Sequence, residues 1–283
     1  MALQSGTSLR SPVYRRLLNG LSTCRQHLPL ILLLTRQELI DRHKGSLLGR
    51  LWTVVAPLVN ILVFVLIFST IMGAKLEGFG ASVDQYTYSI YLISGILAWT
   101  AFAKSLSAIT NTFLDRAGMI TKINTSLKAL PLSTLLAESV IYTMGMAFFM
   151  VFLWLVDFPV TAFWLGVPLI FLLQLAFTYA LGLLLATLAV YLKDVREGVA
   201  VLLPVWFWLT PVVYVEEIIP PWALTMISIN PMFQLIHAYR ELILYQQVPA
   251  LPGLLGVMLV TVMLFIAAFW LLGRTERDLR DAL

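Results

Sequence analysis

Long apolar segments govern what this chain can become. They fall at about 51–73, 86–107, 132–156, 163–191, 199–215 and 254–273. Each is near or above the roughly 20 residues a helix needs to cross a bilayer, except the fifth, which is at the short end. A bilayer core offers no water to backbone polar groups, so a spanning segment must satisfy them internally, as a helix does. The expected fold is therefore an all-α integral membrane protein with six transmembrane helices. Composition agrees: 60% of the 283 residues are hydrophobic and 12% are charged, against roughly 25% charged in a soluble domain. The spans use most of the length, which leaves no room for a soluble catalytic domain. Three parts are expected: a cytoplasmic N-terminal segment (1–50), a permease-like membrane domain (51–273) and a cytoplasmic tail (274–283).

Basic residues set the orientation. Arg10, Arg15, Arg16, Arg25, Arg36, Arg42, Lys44 and Arg50 precede the first span. Lys104, Arg116, Lys122 and Lys128 lie between or near spans two and three, and Lys193 and Arg196 between four and five. Arg274, Arg277 and Arg280 follow the sixth, while the opposite loops hold only Lys75 and Arg240. Cytoplasmic loops carry such an excess, so both termini are expected in the cytoplasm. The same placement accounts for the net charge of +4 without nucleic acid. Trp52, Trp154, Trp164, Trp222 and Trp270 fall near the expected interfaces, where tryptophan anchors a helix.

Leu28 to Leu34 is apolar but has no small-residue cleavage site after it and is too short to span, so it does not read as a signal peptide. A helix over 28–43 would carry one apolar and one charged face, suited to the inner interface or to packing on a partner. The connection 111–131 contains Met119, Ile120, Ile123 and Leu127 at spacings that align them along one side of a short helix. That side reads as a docking surface, or as a helix lying against the membrane. Asp194 and Glu197 have capping-box spacing for the fifth helix. Ser139, Thr143 and Ala147, and likewise Thr178, Gly182 and Ala186, place small residues four apart, a pattern for close helix approach within a subunit or across a dimer. Glu138 is the one acid inside a span boundary; it reads either as a functional group or as a plain interfacial residue.

Residues 199–234 are unlike the other apolar blocks. Pro204 and Pro211 interrupt the fifth segment, and Trp206, Phe207, Trp208 and Tyr214 cluster around the break. Glu216, Glu217, Pro220, Pro221 and Trp222 follow, then a short apolar run ending at Asn230 and Pro231. Asn230 can cap the next helix with Pro231 at its first position. The expectation is a short span followed by re-entrant outer helices, because non-helical backbone at membrane depth survives only inside protein or along a watery cavity. Glu216 and Glu217 are expected to face water and mark a membrane boundary.

Motifs for covalent chemistry do not occur in the sequence. There is no G-x-x-x-x-G-K-S/T phosphate loop, no G-x-S-x-G serine, and His27, His43 and His237 are scattered, so neither a catalytic residue nor a metal site is expected. The single cysteine, Cys24, excludes an intramolecular disulfide. Active transport by such a chain requires a separate ATPase. No cofactor is expected in the chain itself.

Two stretches carry a resemblance. TRQELIDRHKGSLLGRLWTVVAPLVNILVFVLIFSTIMG from Thr35, and YLKDVREGVAVLLPVWFWLTPVVY with its continuations EEIIPPW and INPMFQLIHAYRELI, resemble the permease subunits of polysaccharide ABC exporters. The likeness is closest to O-antigen exporters of Gram-negative bacteria; capsule and teichoic-acid exporters share the plan. The resemblance implies an interface helix, six spans and outer gate helices between spans five and six, here Glu216, Glu217, Pro220, Pro221, Trp222, Asn230 and Pro231. It implies a permease pair with two nucleotide-binding subunits that hold ATP and magnesium, and export of an undecaprenyl-pyrophosphate-linked glycan across the inner membrane. It also implies that the loop from Asp115 through Arg116, Met119, Ile120 and Ile123 to Lys128 couples to the ATPase.

From these residues a homodimeric glycan channel is expected. Asn60, Phe64 and Phe68 on span one and Trp206, Thr210 and Tyr214 on span five fall four apart and form its expected lining, aromatic faces sliding along sugars. Arg42, Lys44 and Arg50 are expected to attract the lipid pyrophosphate, or to serve only as topology signals. Two other classes remain: an ABC permease for a drug or lipid, and a membrane-embedded acyl- or glycosyltransferase.

Overall fold

The computed structural model describes residues 28–42, 44–47, 49, 51–73, 84–122 and 126–283, and their regular structure is all helical. Residues 28–41 form α1. Helix α2 (Leu51–Phe64) continues directly into a π-helix, Val65–Ile71. Next come α3 (Asp84–Asp115), the single turn α4 (Ala117–Ile120) and α5 (Ala129–Leu155). A 3-10 turn, Ala162–Gly166, leads into α6 (Val167–Tyr191), and α7 (Asp194–Trp208) follows. A second 3-10 turn, Glu216–Ile218, precedes α8 (Pro221–Ile227), α9 (Pro231–Ile243) and α10 (Leu251–Ala282).

Five helical stretches are long and apolar enough to cross a membrane: Leu51–Ile71, Asp84–Asp115, Ala129–Leu155, Ala162–Tyr191 and Leu251–Ala282. The protein is a multi-pass membrane protein. The remaining apolar block yields α7, which has 15 residues and so reaches only about 22 Å at 1.5 Å per residue. Pro204 is accommodated inside α7, and the helix stops at Trp208, ahead of Pro211. The residue before a proline is pushed out of the α region, and a proline cannot donate into the ladder, so Thr210-Pro211 is a natural stop.

Helix α3 is the centre of the bundle, packed against α5, α6, α7 and α9, with α10 laid along α6. Of its most apolar window 56% is buried in the protein, against 11% for α2, which sits at the edge against α5. Close approach depends on small residues. A Cβ at Gly182 would lie 2.6 Å from Ile109 Cγ2, so α6 reaches α3 only because that position is glycine. Thr178 and Ala186, on the same stripe, are fully buried, which assigns the α6 stripe to packing within the subunit. On α5, Thr143 and Ala147 face outward; Gly145 instead meets α3 at Leu97. Gln174 crosses between the same central helices, donating to the Ala98 carbonyl at 2.9 Å.

The apolar side chains gather in two clusters. One fills most of the bundle, and the second lies at the end carrying the basic residues. That second cluster joins Leu34 of α1, Ile109 and Phe113 of α3, Ile120, Leu127, and Leu272 and Leu279 of α10. Two local expectations change. Ile120 and Leu127 were expected on a docking surface, but each is only 2% exposed, because α10 runs on through the expected tail and covers that side. The capping box at Asp194 and Glu197 does not form: Lys193 is the N-cap with no side-chain bond, and both acids lie in the first turn. There they still face the positive end of the helix dipole.

Candidate functional site

At the end of α7 the chain is held by one polar network. Asn230 Oδ1 accepts from the backbone N–H of Met232 at 3.0 Å, capping α9, and from Trp206 Nε1 at 2.9 Å. Its Nδ2 donates to Thr210 Oγ1 at 2.8 Å, and that hydroxyl donates to the Trp206 carbonyl at 2.9 Å. The amide thus uses both lone-pair directions of its oxygen to fasten two helix ends together. The Trp206 ring stands edge-on to Phe102, with centroids 5.1 Å apart. Tyr88 and Tyr91 of α3 donate to the Val213 and Tyr214 carbonyls at 2.6 and 3.0 Å, so the irregular segment after α7 is tied to the bundle centre.

Arg240 locks the same segment from α9. Its side chain is 1% exposed, with Nη1 and Nη2 donating to the carbonyls of Pro211 and Val212 at 2.7 and 2.8 Å. The guanidinium lies 3.5 Å over the Tyr91 ring. A planar fork can satisfy two adjacent carbonyls while stacking on an aromatic face, which lysine cannot do. Beside it, His237 Nδ1 sits 2.8 Å from Glu216 Oε1 and its Nε2 3.5 Å from Glu241 Oε1. The hydrogen bond to Glu216 is the main influence holding the imidazole pKa above its ordinary value; burial opposes it, and the two carboxylate charges reinforce it. Glu241 also accepts from the Ala250 N–H at 3.2 Å, ordering the approach to α10.

At the basic end, α1 is fastened to the bundle by ion pairs. Glu38 accepts from Arg116 Nη2 at 2.5 Å and from Thr134 Oγ1 at 3.1 Å, while Arg116 Nη1 donates to Ser133 Oγ at 3.0 Å. Thr35 adds a bond to the Ser133 carbonyl at 3.2 Å. One turn further on, Arg42 is ion-paired with Glu138, whose side chain is 4% exposed. Arg116, just past the end of α3, is therefore joined to both α1 and α5.

A cavity of about 160 Å³ opens between α2, α3 and α5, with Arg42, Lys104 and Glu138 at one end and Phe64, Ile93 and Tyr142 among its apolar walls. Asn60 lines it as well.

The expected lining of two parallel stripes is not what forms. Asn60 and Phe64 face this cavity, whereas Phe68 passes its ring to Tyr88 at 5.4 Å. Thr210 has no exposed surface, and Tyr214 lies beyond the end of α7, its hydroxyl bonded to the Trp208 carbonyl at 2.8 Å. A spacing of four places residues on one face only while the helix lasts, and this one ends at Trp208. Of the expected pyrophosphate contacts, Arg42 pairs with Glu138, Lys44 pairs with Asp41 at 2.5 Å, and Arg50 lies outside the described residues. Of the expected coupling residues, Asp115 and Lys128 are exposed, Arg116 and Met119 are half-buried, Ile120 is buried, and Ile123 lies outside the described residues. Among the expected gate residues, Glu216 is paired to His237 and half-buried rather than facing water, because α9 brings the imidazole to it. Glu217 shares its 3-10 turn, Pro221 opens α8 after Pro220, Trp222 is 70% exposed, and Asn230 and Pro231 form the expected cap. The charge count places Arg240 only as a basic residue of the outer side; the signal of its role is an arginine beside Glu241 and one turn from His237 in α9.

Comparison with known proteins gives the arrangement a family. An "O-antigen export system permease protein RfbA" of Myxococcus xanthus is 30% identical over 254 residues, 86% of this chain and 91% of the relative. Two proteins of the same description from Klebsiella pneumoniae are 28% and 27% identical over 214 residues, 75% of this chain and 79% of each relative. The profile of the ABC-2 type transporter matches residues 29–244, from α1 through the Arg240 lock to the end of α9. With that match running through every element that holds the two polar networks, the chain belongs to the ABC-2 type transporter family of membrane proteins.

Proposed function

We propose that this chain is the permease subunit of an ABC exporter that carries a lipid-linked O-antigen polysaccharide across the bacterial inner membrane. The observation that carries the proposal is the likeness to O-antigen export permeases over 79–91% of their length. The geometry supports it. A short α7, the broken α8 and α9, and a polar lock where they meet suit six crossings with outer gate helices that return into the same face. Two copies would enclose the passage, and both termini would lie in the cytoplasm, where basic residues accumulate.

Hydrolysis of ATP, with magnesium, would occur on two partner subunits. Their movement would enter at 115–128, where Asp115, Lys122 and Lys128 are exposed. Arg116 would pass it to α1 through Glu38 and to α5 through Ser133. Half-exposed aromatic faces at Phe68, Trp206 and Tyr214 suit the apolar faces of sugar rings, giving weak contacts over which a polymer slides. A pyrophosphate approaching Arg42 and Lys44 would meet cations already engaged by Glu138 and Asp41, so its arrival would exchange those partners.

Affinity purification of the tagged chain from a producing bacterium tests this: an ATP-hydrolysing subunit and lipid-linked glycan should co-purify. Recovery of neither, or turnover of a substrate by the purified chain alone, would remove the proposal.

A further inference from the structure

The cavity between α2, α3 and α5 shares Arg42 and Glu138 with the proposed approach of the pyrophosphate, but its Lys104 and its apolar interior have a chemistry that the transport reading does not use. From Lys104 to Ile93 along α3 it extends about 17 Å at 1.5 Å per residue, close to half of a roughly 30 Å hydrocarbon core. Lys104 lies 20 positions from Asp84, at the opposite end of α3, so it stands about 30 Å across the bundle. That is headgroup depth at the basic end, and Trp52 near the start of α2 marks the same level. The cavity therefore starts at the phosphates of one leaflet and ends near the bilayer midplane.

Its volume and charge narrow the occupant. About 160 Å³ resembles the roughly 150 Å³ apolar cavity that accepts a benzene-sized molecule, room for a stretch of one hydrocarbon chain. At the mouth, Arg42 and Glu138 neutralise one another, and Lys104 makes no ion pair among the described residues. Asp115, 11 positions further along α3, does not line this cavity but shares the adjoining opening with Lys104. The charges that line the cavity itself, Arg42, Lys104 and Glu138, thus leave one positive charge in excess. Gly145 keeps α5 close to Leu97 and Pro57, and the π-helical end of α2 begins just past Phe64, where such irregularities often mark functional sites.

We infer that this groove is a binding site for one acyl chain of an anionic phospholipid from the leaflet at the basic end, with the phosphate on Lys104 and the chain between Thr53, Leu97 and Phe64. A phosphodiester carries one negative charge, matching the excess positive charge at the mouth, and the enclosed volume takes a segment of one acyl chain, the rest of which would lie along the open side of the groove. An undecaprenyl chain is several times longer, and its pyrophosphate carries more charge than the mouth balances. The bound lipid would wedge the loosely packed α2 against α3 and α5. This inference requires membrane insertion but not the nature of the exported cargo.

The test uses the intact exporter complex in nanodiscs containing phosphatidylglycerol with a photoreactive diazirine midway along one acyl chain. Adducts should map to Phe64, Leu97 or Tyr142. The phosphatidylcholine probe with the same chains should label these positions about fivefold less, the factor that one lysine near an anionic headgroup supplies. Lys104→Gln should erase that headgroup preference, and Ala101→Phe, which fills the cavity, should remove the adducts while a probe on α10 labels as before. Equal labelling by both headgroups, or adducts confined to the outer face of α10, would overturn the assignment. So would loss of the adducts on adding undecaprenyl diphosphate, which would give the groove to the exported lipid instead.

Discussion

Arg240 offers the sharpest test of how the region after α7 is held. Arg240→Lys keeps the charge but replaces a two-pronged donor by a point charge, so only one of the Pro211 and Val212 carbonyls can be served. A hydrogen bond from a charged group contributes about 1.5–3 kcal/mol, and stacking of the cation on Tyr91 adds about 1 kcal/mol more. The loss should therefore be about 2–4 kcal/mol, read as reversible unfolding in mixed detergent micelles. The structure supplies an independent route to the same contact. A Cβ at Gly95 would lie 2.9 Å from Arg240 Nη2, so Gly95→Ala should push the guanidinium off its carbonyls and destabilise by about 1–3 kcal/mol. With lysine at 240 that obstruction is gone, and alanine should become neutral or stabilise by up to about 1 kcal/mol through helix propensity. The double mutant should thus be more stable than the sum of the single effects predicts, by about 1–4 kcal/mol. Additive effects, or a loss below about 0.5 kcal/mol for Arg240→Lys, would refute the lock.

Three further outcomes are expected. Asn230→Ala removes the α9 cap and leaves Trp206 Nε1 unpaired, and should cost about 2–4 kcal/mol in the same unfolding assay. The raised pKa of His237 means that protonation favours its pairing with Glu216: that contribution is complete below the ordinary imidazole value of about 6.5 and is lost as pH rises through the folded value. Cysteine labelling at Ser228, on the connection between α8 and α9, should accordingly accelerate with rising pH in the native protein and stay flat in His237→Gln. Glu38→Gln breaks the charge-assisted bond to Arg116 and should lower glycan export several-fold while ATP hydrolysis by the complex continues, and exchanging the two charges (Glu38→Arg with Arg116→Glu) should restore part of it.

What could be read from the residues follows from what apolarity reports in a membrane chain. Apolar length gives depth, and so 51–73, 132–156 and 163–191 fall within a few residues of the helices Leu51–Ile71, Ala129–Leu155 and Ala162–Tyr191. Local stereochemistry is equally legible: Asn230 before Pro231 caps α9 because the capping residue and its target are neighbours in sequence. Face assignment is not, because a helix apolar all round has no contrast from which to tell a lipid-facing side from a buried one. The side of 119–127 was visibly apolar, yet nothing local says that Leu34 and Leu279 cover it. The stripe Trp206, Thr210, Tyr214 failed for a different reason, since its periodicity was carried past the end of the helix that defines it.

The informative residues are the polar ones that apolar patterning cannot absorb. A polar group at membrane depth must find a partner or a wet cavity, so each one points to a long-range contact even when its partner is distant in sequence. Gln174 meets the Ala98 carbonyl, Glu138 meets Arg42, and Arg240 meets Pro211 and Val212. Lys104, with no ion-pair partner among the described residues, stands at the mouth of a cavity beside the paired Arg42 and Glu138. In a chain where nearly every position prefers oil, the polar exceptions specify which helices must meet, and a charged one without an ion-pair partner beside a cavity indicates where a molecule from outside the chain can dock.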